Sequence, residues 1–345
     1  MNVLLARQDS AGDVLLMGPA VRAVAARAER VTFLAGPRGA EAASLLPGVD
    51  DVVVRHAAWI DAEPEPVSPG DTLAFVDDLA ARRFDQAVIF TSFHQSPLPL
   101  ALLLRLAGVA SVAAISDDYP GSLLDVRHRI RGEMHEVERA LSLVRELGYE
   151  LPPGDDGRLA VDRDGVSPAD GFGPYVVVHP GASVPARAWA PERHRALVEA
   201  LVAEGRSVVV TGGPDERELT RFVAGEERDG VLDLGGKTEL GTLAEVIADA
   251  EAIVVGNTGP AHLAAGVGTP VVSLYAPTVP AVRWRPWAVP SVLLGDQEAA
   301  CAGSRARVCP VHGHPCLSSV SVEDVLEALA ALAGRTAPDL VEAAP

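Results

Sequence analysis

Two doubly wound α/β halves in tandem are the fold that the sequence predicts, and three observations predict it. Short, wholly apolar runs alternate with helical patterns, which is the rhythm of parallel βαβ units. That rhythm stops in a Gly-, Pro- and Asp-rich stretch near mid-chain and then starts again. The length of 345 residues and a hydrophobic content of 48% suit two domains with separate cores.

In the first half, Val3-Leu4-Leu5-Ala6 reads as a buried strand, followed by a loop to Asp13 and a helix from Val14 to Ala28. Further strands are expected at Val31–Leu34, Val52–Arg55, Gln86–Phe90 and Val112–Ile115, with an apolar helix at Leu98–Leu106 and a closing helix at Glu133–Leu147. Glu63-Pro64-Glu65-Pro66 reads as a surface loop. In the second half, strands are expected at Tyr175–His179, Val208–Thr211, Ala252–Gly256 and Val271–Leu274. Helices are expected at Pro191–Ala203, with proline in the first turn, at Asp215–Val223, at Leu240–Asp249 and from Pro260. Ser321 and Asp324 have the spacing of a capping box and open a last helix. The expected boundaries are a first domain at 1–150, a linker at 151–174, a second domain at 175–320, the helix at 321–335 and a frayed tail at 336–345.

Composition narrows the function classes. A net charge of −18 argues against nucleic acid and against a strongly basic membrane-docking face. It leaves room for an anionic ligand, because backbone N–H groups at helix starts hold phosphates without lysine, and Lys237 is the only lysine. Aromatic residues, at 4%, are too few for a stacking platform. No apolar run has membrane-spanning length, and Met1–Arg7 lacks the basic leader and long apolar core of a signal peptide, so the expected location is the cytoplasm. Cys301, Cys309 and Cys316, with His312 and His314 among them, resemble a metal cluster, but no C-x2-C knuckle is present. The expectation is reduced thiols and no metal.

Chemistry is expected where strands run into helices. Ser10-Ala11-Gly12-Asp13-Val14 is the first such junction: Gly12 allows a close or left-handed turn, and Asp13 is either a ligand-facing carboxylate or a plain helix cap. No G-x-G-x-x-G is present, so a dinucleotide fingerprint is missing and a dehydrogenase is disfavoured. His179-Pro180-Gly181-Ala182-Ser183 with Arg187 suits an anion site, Gly181 and Ser183 offering donors and Arg187 a cation, while Trp189 reads as a packing anchor. Gly212 and Gly213 permit close backbone approach, or simply make a turn that Asp215 caps. Asn257-Thr258-Gly259-Pro260-Ala261-His262 is the most informative segment, since Thr258 and Gly259 would present N–H groups to a diphosphate at a helix start.

These segments, together with Gly235-Gly236-Lys237-Thr238 and the cysteine-containing loop, occur in one order along nearly the whole chain and resemble glycosyltransferase family 9, which includes the lipopolysaccharide heptosyltransferases. The resemblance implies a GT-B fold, two Rossmann-like doubly wound domains facing an interdomain cleft, with the acceptor bound by the first domain and the donor by the second. It implies an inverting, metal-independent transfer of a heptose-like sugar from a nucleotide-diphosphate donor, ADP-linked in known members, to a glycan or glycolipid hydroxyl. No cofactor is obligatory beyond that nucleotide sugar. Asp13 matches the general base, and Arg187 stands where the family often has lysine. Gly181, Ser183, Gly212, Gly213, Asn257, Thr258, Gly259, Pro260 and His262 are expected at the donor, Gly12 and His94 at the acceptor. Two departures stand out: Asn257 where the family usually has aspartate, and Ser304 where it commonly has a further cysteine. A monomer is expected, with transient contact at the inner membrane face when the acceptor is lipid-linked. The competing readings are a GT-B-shaped sugar-nucleotide epimerase or hydrolase, which needs further acid and base groups, and a binding protein without turnover.

Overall fold

The computed structural model describes residues 1–61 and 64–333. Glu63 of the expected loop, the last residues of the expected 321–335 helix and the tail 336–345 lie outside the described residues. The chain divides into two compact units, Met1–Asp162 and a second from Arg163 onward.

The first unit holds six strands: β1 (Asn2–Arg7), β2 (Arg30–Ala35), β3 (Asp51–Val54), β4 (Gln86–Ile89), β5 (Ser111–Ile115) and β6 (Val126–His128). All pair in parallel in the order β3-β2-β1-β4-β5-β6. The second unit repeats the plan with β7 (Tyr175–His179), β8 (Ser207–Val210), β9 (Val231–Asp233), β10 (Ala252–Gly256), β11 (Val271–Leu274) and β12 (Ser291–Leu294). Its order, β12-β11-β10-β7-β8-β9, is the same topology counted from the other edge, again wholly parallel. This is the strand order of dinucleotide-binding doubly wound domains.

Parallel sheets are covered on both faces, so their central strands read as continuous apolar runs. In the first unit Leu4, Ala6, Leu34 and Ile89 pack beneath Phe75 and Leu79 of the helix Pro69–Arg82 and Leu100 and Leu104 of the helix Leu98–Leu106. In the second, Val176, Val178, Val208, Val210, Val254 and Val272 pack under Leu197, Val198 and Leu201 of the helix Pro191–Ala203. The helix Val322–Leu332 adds Val325 and Leu329 to that core. Its capping box is formed: Asp324 N–H donates to Ser321 Oγ at 3.0 Å, and Ser321 N–H donates to Asp324 Oδ2 at 2.7 Å.

Several boundaries differ from expectation for local reasons. The helix expected at Val14–Ala28 is two helices, Ala11–Leu15 and Gly18–Ala25. Pro19 has no N–H to give to Leu15, so the ladder breaks there. The helix Glu136–Arg145 starts later than expected because His135 caps it, its Nδ1 accepting from Val137 N–H at 3.2 Å while Glu138 accepts from His135 N–H at 3.3 Å. Residues 214–216 form a tight turn ahead of the helix Arg217–Ala224. The stretch 151–174 carries no helix or strand. Asp155 pairs with Arg22 at 2.6 Å in the first unit, and Arg163 with Glu245 at 3.0 Å in the second. Among the described residues no helix is long and apolar enough to cross a membrane.

Candidate functional site

In this strand order the connections from the first and fourth strands of each unit leave in opposite directions, which opens a crevice at the carboxyl ends of those two strands. The crevice of the first unit therefore lies at the ends of β1 and β4, and that of the second at the ends of β7 and β10. The segments at Asp13, His179–Arg187 and Asn257–His262 follow β1, β7 and β10, while Gly212-Gly213 follows the neighbouring β8.

In the first unit, β1 ends on Arg7, whose side chain is 1% exposed. Each edge of its guanidinium is engaged. Nε pairs with Asp9 at 2.6 Å, Nη1 with Glu136 at 3.2 Å and Nη2 with Asp13 at 2.9 Å, and Nη2 also donates to Ser92 Oγ at 2.8 Å. Burial would lower the Arg7 pKa, but the three carboxylates outweigh it and the net shift is upward. Burial raises the Asp9 pKa, and Arg7 opposes that rise. Asp9 also accepts from Gln95 Nε2 at 2.5 Å, and Gln95 Oε1 accepts from Ser92 N–H at 2.9 Å. Glu136 contacts Arg139 at 3.4 Å, and Arg139 donates to the Thr91 carbonyl.

Asp13 sits in the third position of its helix, with Ser10 at the N-cap, so it is not itself the cap. Ser10 Oγ donates to its Oδ2 at 2.8 Å, and 21% of its side chain is exposed. Gly12, which could have allowed a close or left-handed turn, does not adopt the left-handed conformation. It lies within the helix, and its carbonyl accepts from Leu16 N–H at 3.2 Å. His94 is exposed and edge-on to Phe93, with centroids 5.4 Å apart. Pro97, not His94, holds the cap position of the helix Leu98–Leu106. From that loop it is Ser92 and Gln95 that join the Arg7 network. Sequence reasoning missed Arg7, Asp9, Ser92, Gln95 and Glu136. One signal was available, an arginine closing an otherwise apolar strand. Glu136 stands 129 residues away and left no local trace.

The second unit is built differently. Asn257 is buried, and neither atom of its amide makes a hydrogen bond of good geometry. Thr258 occupies the N-cap of the helix Gly259–Val267 without capping it, and its Oγ1 is buried and unbonded. Ser273 Oγ on β11 and Thr278 Oγ1 beyond it are in the same condition. Pro260 lies in the first turn, where its missing N–H costs nothing, and His262 is buried one turn on. Burial pushes the Tyr275 hydroxyl pKa up, while the nearby Arg187 and Asn257 draw it down. Buried polar groups ordinarily have partners. Asn257 and Thr258 directly follow β10, and Arg187 and Asn257 both lie close enough to Tyr275 to act on its hydroxyl.

The glycines of this unit serve packing as well as approach. A methyl on Gly181 would collide with the Glu216 carboxylate, and one on Gly212 would stand 2.6 Å from Thr220 Cγ2. Gly213 N–H, expected to face a ligand, already donates to Glu216 Oε2 at 2.7 Å. Glu216, which the sequence did not single out, thus shapes the loop. Ser183 is exposed, and Arg187 is half-buried in the turn Pro185–Arg187. Trp189 is a packing residue: it is buried, its Nε1 donates to the Val320 carbonyl at 3.3 Å, and it meets His194 edge-on at 4.9 Å. His179 Nδ1 lies 3.0 Å from Thr211 Oγ1, and burial lowers its pKa against the pull of Glu216. Cys301, Cys309 and Cys316 are free thiols. Burial, with Cys301 and Cys309 nearby, pushes Cys316 up to about 11. Among the described residues no group of three or more His, Cys, Asp or Glu is placed to hold a metal ion.

Residues 73–314 match the family model described as glycosyltransferase family 9 (heptosyltransferase). Lipopolysaccharide heptosyltransferase 1 of Pseudomonas aeruginosa is 31% identical over 81% of this chain and 80% of its own length. Lipopolysaccharide heptosyltransferase 3 of Escherichia coli is 32% identical over 42% of this chain, and the match spans only 43% of that protein. Among solved structures, a family 9 glycosyltransferase of Veillonella parvula aligns with a TM-score of 0.76 at 17% identity, covering 96% of each chain. The E. coli ADP-heptose lipopolysaccharide heptosyltransferase II aligns at 0.71 and 21% identity, covering 96% of this chain and 98% of that one. These structural likenesses establish the GT-B fold. The family match takes in every donor-side residue from Gly181 to His262 and begins after Asp13.

Proposed function

The chain belongs to glycosyltransferase family 9, and from that premise we propose that it transfers a heptose from ADP-heptose to a hydroxyl of a lipopolysaccharide core or a related glycolipid. The observation that carries the donor half is the set of buried, unbonded polar side chains at Asn257, Thr258, Ser273 and Thr278 beside Arg187. A diphosphate presented at the start of the helix Gly259–Val267 receives N–H groups from its first turn and a charge-assisted contact from Arg187. Such donors stabilise charge as it collects on the leaving diphosphate. In this reading Arg187 and the backbone meet that charge, and the reaction needs no metal ion.

Asp13 is the general base. It takes the proton of the acceptor hydroxyl as that oxygen attacks the anomeric carbon, and the bond to the diphosphate breaks on the opposite face. One displacement inverts the anomeric centre. A carboxylate is a weak base, so its help comes late, when the attacking oxygen has already lost electron density to the sugar. We place the reaction in the cytoplasm, carried out by a monomer that meets the membrane only through a lipid-linked acceptor.

Calorimetric titration with ADP, UDP, GDP and their sugar conjugates tests the donor assignment. ADP is expected to bind selectively, and ADP-heptose more tightly than ADP. Selective binding of UDP or GDP overturns the choice of nucleotide, and binding of none of them overturns the donor site. Mass spectrometry of a lipopolysaccharide-core oligosaccharide incubated with ADP-heptose tests the acceptor, the expected product being heavier by one heptosyl residue.

A further inference from the structure

The Arg7 cluster holds more acid than a base needs to be held in place. One guanidinium, fully buried, faces three carboxylates from three directions: Asp9 from the loop after β1, Asp13 from the helix Ala11–Leu15, and Glu136 from the helix Glu136–Arg145. The other groups facing it are Ser92, with Gln95 behind it, from the loop after β4, and Arg139, which meets Glu136 from the same helix. An arginine committed to Asp13 alone would hold that carboxylate ionised and make it a poor proton acceptor. An arginine shared among three holds its geometry and exerts a weaker net field.

We propose that Arg7 is a positioning residue for Asp13, and that Asp9 and Glu136 preserve the basicity of Asp13 by competing for the same guanidinium. The inference rests on the reading of Asp13 as the base. The Nη2 contact at 2.9 Å and the Ser10 hydroxyl at 2.8 Å grip one oxygen of Asp13 each. Together they fix the carboxylate plane, so the side chain meets an incoming hydroxyl without first losing rotamer freedom. Glu136 is 1% exposed and contributes no surface to a substrate, so its influence on the reaction passes through Arg7.

The full-length protein is tested with two readouts. With carbon-13-labelled aspartate, the Asp13 carboxyl resonance, identified by its loss in Asp13→Asn, is titrated by NMR in the free protein. Glu136→Gln removes one competitor, so Arg7 acts more strongly on Asp13 and the midpoint falls. Arg7→Gln removes the cation, and the midpoint rises by about one pH unit or more. Should Arg7→Gln not fold, the isosteric Asp9→Asn takes its place and moves the midpoint the same way as Glu136→Gln. The second readout is turnover of ADP-heptose with the core acceptor. Arg7→Lys keeps the charge and loses the fork, so kcat falls at least about tenfold while the donor KM holds. Midpoints that stay put, or an Arg7→Lys enzyme with full kcat, overturn the proposal. Full turnover by Asp13→Asn overturns the base assignment and this inference together. Lost turnover by Asp13→Asn with unmoved midpoints overturns the inference alone.

Discussion

The two units share a strand order and part company at the one place where that order opens a crevice. At the end of β1 the groups are charged and answer one another, with Arg7 held by Asp9, Asp13 and Glu136. At the end of β10 the buried groups are mostly neutral and loosely held: the Asn257 amide makes no hydrogen bond of good geometry, and the Thr258 hydroxyl is unbonded. The physics behind the contrast is the cost of burial. A buried charge left unpaired costs several kcal/mol, so a charged site must be complete before its substrate arrives. A buried neutral polar group left unpaired costs about 1–3 kcal/mol, which a fold can carry until a ligand supplies the partner. The two units thus differ in kind at corresponding strand ends: one holds a paired charge cluster, the other buried polar side chains with few hydrogen bonds.

The largest expected effect separates the two chemically. Asp13→Asn should lower turnover by about 10²–10⁴-fold, the usual contribution of a positioned acid or base, and leave the affinity for ADP-heptose within about twofold. Arg187→Ala should slow turnover as well, and unlike Asp13→Asn it should also weaken the donor. Loss of one charge-assisted contact, about 1.5–3 kcal/mol, weakens ADP at least about tenfold in calorimetry. An Asp13→Asn protein that loses donor affinity, or an Arg187→Ala protein that keeps it, breaks the division between the units.

A second effect, smaller and set by pH, belongs to the second unit. Burial lowers the His194 pKa to about 3, against about 6.5 in an unfolded chain. Between these values the unfolded chain binds a proton that the folded one refuses. The contribution of neutral His194 is therefore whole above pH 6.5 and is lost as pH falls toward 3, at about 1.4 kcal/mol per pH unit. At pH 5 the loss is about 2 kcal/mol. His194→Phe keeps a ring against Trp189 and removes the titration, so the drop in Tm between pH 7.5 and pH 5 should shrink relative to the wild type. An unchanged drop would show that the acid sensitivity of this unit lies elsewhere.

How much of this was legible in the sequence follows from the same physics. The central strands announced themselves, because burial on both faces demands unbroken runs such as Val3-Leu4-Leu5-Ala6 and Val176-Val177-Val178. The edge strands β6, β9 and β12 are half-buried and short; β6 and β9 carry no apolar run, and β12 has only Val292-Leu293-Leu294. The strand-to-helix junction from Asn257 to His262 was readable because its signals are local, a strand end, a cap position and a first-turn proline in sequence order. The surroundings of Asp13 were not, because Ser92 and Glu136 reach Arg7 only through the sheet and a distant helix. The packing roles of the glycines were not readable from residue type. Gly12 turned out to be helical, and Gly181 makes room for Glu216.

The smallest effect gives the sharpest comparison, because it reverses the usual sign of a polar deletion. Thr258→Val is nearly isosteric, and the hydroxyl it removes has no hydrogen bond in the free protein. The residue caps its helix by position without its side chain, so no cap bond is lost. A buried unpaired hydroxyl is a burden, and replacing it with a methyl should hold Tm constant or raise it. The same change should weaken ADP by about 0.5–1.5 kcal/mol, roughly two- to tenfold, since the ligand loses a partner that the protein had kept unpaired for it. A gain in stability paired with a loss of affinity, measured by thermal melting and calorimetry on one preparation, marks Thr258 as held open for a ligand. The corresponding deletion in the first unit, Ser92→Ala, takes a bonded hydroxyl from Arg7 and Asp9 and should lower Tm instead. Were Thr258→Val to lower Tm while sparing ADP, its hydroxyl would belong to the fold, and the contrast between the two strand ends would fail at its best-defined residue.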